Sequence, residues 1–104
     1  MGCARQEGGG GVKPRDLPVR KRLIQLAEEA AELSQASLKL IRAMDGDTPV
    51  SVHEATWHLL EEIADVYVTA LTLEPDRAAI EAIARQKSRR WEERLNEARN
   101  DNHG

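Results

Sequence analysis

Carboxylates are among the costliest side chains to place in an apolar helix, and this chain does so twice, at Glu28-Glu29-Ala30-Ala31-Glu32 and at Glu61-Glu62-Ile63-Ala64-Asp65. Any fold must keep those positions wet or bring them a cation. Within each cluster one pair is three residues apart, Glu29 with Glu32 and Glu62 with Asp65, so each pair stacks on one helix face. If two such helices face each other, the four carboxylates form a donor set suited to a hard cation such as Mg²⁺. A solvated acidic surface is the other interpretation of the same spacing, since helical proteins are rich in surface Glu.

The segments around the clusters have helical periodicity. Leu23, Ala27, Ala30, Leu33, Leu40, Ile41 and Met44 recur every three or four residues and predict a first helix from about Pro18 to Met44. Asp45-Gly46-Asp47-Thr48-Pro49 is a breaker, and Ser51 with Glu54 gives a capping-box pattern that opens a second helix reaching about Leu73. Glu74-Pro75-Asp76 breaks the chain again, and a third helix from about Asp76 to Ala98 carries the stripe Ile80, Ile83, Ala84, Trp91, Leu95 and Ala98. There is no sustained period-two alternation and no Phe, which argues against strands.

The expected fold is therefore all-α, an antiparallel helical bundle of three main helices in a domain over residues 15–99. A disordered Gly-rich leader at 1–14 precedes it, and a frayed tail at 100–104 follows. The second helix is apolar nearly all round. Leu59, Ile63, Val66 and Ala70 form one strip and Trp57, Leu60, Ala64, Val68 and Leu71 the next, which leaves Glu54, His58, Glu61, Glu62, Asp65, Thr69 and Thr72 in a polar wedge about 100° wide. A helix buried on two sides needs neighbours on both, so the bundle is expected to be completed by oligomerisation, most simply as a homodimer through Trp57 and Leu71.

Fifteen Lys and Arg against 18 Asp and Glu give a net charge of -3, so neither nucleic acid nor an anionic membrane is expected as a partner. The single cysteine, Cys3, excludes an internal disulfide framework. The start Met1-Gly2-Cys3 lacks the Ser or Thr at position six of an acylation signal, having Gln6 there. No stretch approaches the roughly 20 apolar residues of a membrane span, and a cytoplasmic location is expected.

Lys87 falls on the apolar stripe of the third helix between Ile83 and Trp91, with Arg90 and Arg94 nearby. An inward Lys either meets an anion or buries its stem and wets its tip. His53 and His58 do not form a zinc-protease pair, because five residues turn them about 140° apart. His58 does lie one turn before Glu62, in hydrogen-bond reach of a carboxylate, or else as a plain surface residue.

At Glu28-Glu29-Ala-Ala-Glu32-Leu-Ser-Gln-Ala and Leu60-Glu61-Glu62-Ile-Ala-Asp65-Val-Tyr-Val the chain resembles the MazG-like group of all-α nucleoside triphosphate pyrophosphohydrolases. That group pairs Glu-x-x-Glu on one helix with Glu-x-x-Asp on the next, and the likeness extends over roughly residues 18–95. The resemblance implies that Glu29, Glu32, Glu62 and Asp65 hold Mg²⁺, with Mn²⁺ as a substitute. It also implies that Glu29 or Glu32 is the catalytic base, that Lys87 and Arg90 bind the substrate's phosphates, and that the chain assembles as a dimer or tetramer. The implied reaction hydrolyses a ribo- or deoxyribonucleoside triphosphate to monophosphate and pyrophosphate. A non-catalytic helical oligomer, serving as a binding or regulatory module, is the alternative; it would show no turnover and little response to Glu62→Gln.

Overall fold

The computed structural model describes residues 11–103, and it is all-helical: a short 3-10 turn at Pro14–Asp16, then α1 (Val19–Met44), α2 (Val52–Leu71) and α3 (Arg77–His103). No strand occurs among the described residues. Cys3 and most of the expected leader lie outside them. The chain divides into two compact units that part between Glu74 and Pro75.

Local chemistry sets the bounds of the first two helices. Gly46 adopts φ 75°, which L side chains resist, and closes α1: its N–H donates to Ala43 O at 3.1 Å while that of Asp47 donates to Arg42 O at 2.9 Å. These two bonds satisfy carbonyls that the helix end would otherwise orphan. Ser51 then caps α2 reciprocally with Glu54, whose N–H donates to Ser51 Oγ at 3.0 Å. At the far end the Arg22 guanidinium donates to Leu17 O at 2.9 Å and also to Thr72 O, tying the start of α1 to the residue just past α2. The two helices thus run antiparallel along one another.

Their contact is a narrow seam. The only residues of α1 that are not exposed are Arg22, Leu26, Glu29, Leu33, Ala36, Leu40 and Ala43, alternating at spacings of four and three. On α2 the matching set is Ala55, Leu59, Glu62 and Val66, followed by the half-buried Thr69, Ala70 and Leu71. This 3.5-residue period is that of a coiled-coil seam. Ala36, Ala43 and Ala55 are its buried apolar residues, with Ala36 only 1% exposed. Small side chains at these positions let the two backbones approach closely.

The seam departs from the stripe expected in α1, of which only Leu33 and Leu40 lie on it; Leu23, Ala27, Ala30, Ile41 and Met44 are exposed. Each helix has more apolar residues than one seam can cover, so a second apolar face remains open on both. On α2 the seam runs along the edge of the polar wedge, which turns Glu62 and Thr69 toward α1 and leaves Ile63 outside. Trp57, Leu60, Tyr67 and Val68 are also exposed.

In the second unit Asp76 caps α3, its Oδ1 accepting the Ala79 N–H at 3.0 Å. The helix continues to His103, past the Ala98 end expected from its stripe. Residues 99–103 contain no Gly or Pro to stop it. Among the described residues no helix is long and apolar enough to cross a membrane.

Candidate metal site

Glu29 and Glu32 share a face of α1 because they are three residues apart, and Glu29 also occupies a seam position. Glu62 stands on the α2 side of the same seam. One oxygen from each of these three carboxylates lies within 4.8 Å of the others. Burial is graded across the group: Glu62 is buried at 7% exposure, Glu29 is half-buried and Glu32 is exposed.

The surroundings leave this charge poorly compensated. Glu29 Oε2 accepts a hydrogen bond from Gln25 Nε2 at 2.7 Å, and Glu62 Oε2 lies 3.6 Å from His58 Nε2. The other oxygen of each, Oε1, is buried and has no hydrogen-bond partner. Among the described residues no Lys or Arg pairs with Glu29, Glu32 or Glu62. Burial pushes the Glu62 carboxyl above the usual glutamate range, and the charges of Glu32, Asp65 and Glu29 push it further, with His58 opposing them. A buried acceptor without a donor carries its full desolvation penalty, which a bound cation removes.

The set fits a hard divalent cation. Oxygen ligands on Mg²⁺ sit about 3 Å apart when adjacent and about 4 Å when opposite, for bonds of roughly 2.1 Å. The observed spread is within 4.8 Å, a difference that rotation in long Glu side chains closes. All three donors are carboxylate oxygens and none is sulfur or imidazole, the ligand chemistry of hard cations in general.

Of the four carboxylates singled out by spacing, Asp65 stands slightly apart. It is exposed and is not among the three that converge, yet its charge still reaches Glu62. Its peptide oxygen accepts from Thr69 Oγ1 at 2.7 Å. Glu28 and Glu61 are exposed, Glu61 Oε1 lying 3.6 Å from His58 Nδ1. Lys87 and Arg90, in the second unit, line one surface depression on α3 with Trp91 and Arg94. Gln25 was not singled out by sequence pattern; the available signal was its position one turn before Glu29. No protein-family model, curated protein or solved structure matches this chain.

Proposed function

We propose that this chain is a Mg²⁺-dependent nucleotide pyrophosphohydrolase of the MazG-like kind. The observation that carries the proposal is the pair of buried, unpartnered carboxylate oxygens, on Glu29 and Glu62, within a three-carboxylate cluster spanning two helices. Such a cluster is costly without a cation and useful with one.

In this proposal Glu29, Glu32 and Glu62 hold the ion, with Asp65 completing the set directly or through water. A bound Mg²⁺ would neutralise the triphosphate, orient it and acidify a water. The protein's own contribution is position and proton transfer. A water oxygen attacks the α-phosphorus in line, the bond from that phosphorus to the bridging oxygen breaks, and pyrophosphate departs with the bonding electrons. The water's proton passes to a carboxylate, for which Glu32 is the better candidate: it is exposed, whereas Glu29 already accepts from Gln25. The resemblance also makes Lys87 and Arg90, a point charge and a fork donor, the candidates for contacts with phosphate.

Homo-oligomerisation belongs to the same proposal. Trp57 is 62% exposed and Tyr67 62%, with Leu23, Leu60 and Val68 each more than half exposed and Ile24 half exposed, a set of large apolar side chains that further copies could cover. Covering these faces with further copies would complete the bundle as a dimer or tetramer.

The test is pyrophosphate release from a panel of ribo- and deoxyribonucleoside triphosphates, with Mg²⁺ or with chelator, for wild type and Glu62→Gln. Release from at least one nucleotide that needs Mg²⁺ and is lost in the variant supports the assignment. Silence across the panel, with an intact oligomer by sedimentation, would favour the non-catalytic module instead.

A further inference from the structure

Two side chains outside the carboxylate set occupy the same helical position, one turn before a seam carboxylate. Gln25 sits four residues before Glu29 on α1 and donates to its Oε2 at 2.7 Å. His58 sits four residues before Glu62 on α2, with Nε2 at 3.6 Å from its Oε2. In both carboxylates it is Oε1 that is buried and without a partner. The two halves of the site therefore share a plan, a polar side chain one turn before the Glu and a free inner oxygen, with a hydrogen bond formed on α1 and an approach just beyond hydrogen-bond distance on α2.

We propose that Gln25 and His58 are positioning residues, one on each helix, which hold Oε2 of Glu29 and Glu62 and so present the two Oε1 atoms to a divalent cation. The inference rests on the metal-site assignment above and adds to it the parts that orient the ligands. Helix geometry explains why the donors sit where they do. Side chains lean toward the helix N-terminus, so a Glu lies over the residue one turn before it, within reach of a donor there. Without such a donor, like-charged carboxylates with three rotatable bonds each swing apart toward water, and a cation must then gather them at an entropic cost. With the donor, the rotamer is set before the cation arrives. Outer partners of this kind orient metal ligands generally.

The His58 ring stands between two carboxylates of its own helix, its Nδ1 lying 3.6 Å from Glu61 Oε1. Glu32 has no comparable hydrogen bond among the described residues and is exposed, which leaves it the freest of the three to change orientation.

The test is calorimetric titration of Mn²⁺ and Mg²⁺ into the full chain, for wild type, Gln25→Leu, His58→Leu and His58→Gln, with melting in chelator measured on the same samples. Gln25 and His58 are both exposed, so the replacements leave the seam intact. Each Leu variant is expected to raise the cation Kd about 10- to 100-fold while its chelator melting temperature stays near wild type. His58→Gln, which keeps an N–H donor, should recover most of the loss. Leu variants that bind cations as tightly as wild type would overturn the positioning role while leaving the metal site standing. A wild-type protein that binds neither cation would remove the metal site itself, and the positioning role with it.

Discussion

Ala36→Leu tests how the seam builds the site. Ala36 is 1% exposed and lies seven residues after Glu29, two helical turns along the same seam. The register set by Arg22 against Thr72, and by Glu29 and Glu32 against Glu62, puts it opposite the turn of α2 between Ala55 and Leu59. Three added carbons have no space there unless the helices separate. Overpacking of a tight core site costs about 2 kcal/mol, and for a unit of this size each kcal/mol moves the melting temperature by about 4–8 °C. A fall of roughly 8–16 °C is therefore expected in chelator. Separation also draws Glu62 away from Glu29 and Glu32, so the variant should bind Mg²⁺ more weakly than its loss of stability alone explains. Ala31→Leu is the control, since Ala31 is exposed on the opposite side of α1 and Leu is nearly as good a helix former. Differential scanning calorimetry with and without Mg²⁺ decides the matter. An Ala36→Leu protein that melts with wild type, or an Ala31→Leu protein that falls as far, would refute the close-seam account.

Three further outcomes are expected. The raised pKa of Glu62 means that the folded state holds this proton more tightly than the unfolded chain does; its contribution to stability is full below the ordinary glutamate value of 4.5 and is lost as pH rises through the raised value. In chelator, wild type should thus lose stability across that window while Glu62→Gln stays flatter and melts higher at neutral pH, and parallel pH profiles for the two would count against it. Ser51→Ala removes the α2 cap and should cost about 1 kcal/mol by urea unfolding, an effect Glu54→Gln largely avoids. Trp57→Lys with Leu60→Lys should shift the sedimenting species toward monomer without unfolding the hairpin, whereas an unchanged distribution would place the oligomer contact elsewhere.

Much of the helical layout is legible in the residues alone. The breaker at Asp45-Gly46-Asp47 and the Ser51 and Glu54 box fix the turn between α1 and α2, because φ at Gly46 and the orphaned backbone groups admit few alternatives. The packing face is not legible in the same way. Apolar periodicity marks Leu23, Ala27 and Ala30, yet the seam runs through Arg22, Leu26 and Glu29, since Leu23 and Leu26 are equally apolar and only close approach through Ala36, Ala43 and Ala55 selects between the faces. That choice also shapes the site. It brings Glu62 inside and leaves Asp65 out, whereas spacing alone treats the two as equals. Gln25 escapes pattern reading for a related reason, since it matters only once Glu29 is known to face inward, whereas the position of His58 one turn before Glu62 is legible in the spacing.

The most direct test of the central claim, that Glu29, Glu32 and Glu62 form a divalent-cation site, is thermal unfolding of wild type and Glu62→Gln in chelator and in saturating Mg²⁺. At a hundredfold excess over Kd, binding to the folded state alone adds about 2.7 kcal/mol, a rise of roughly 11–22 °C for a unit of this size. Wild type should show that rise, and Glu62→Gln should lose it. Equal melting of wild type in chelator and in Mg²⁺ would contradict it.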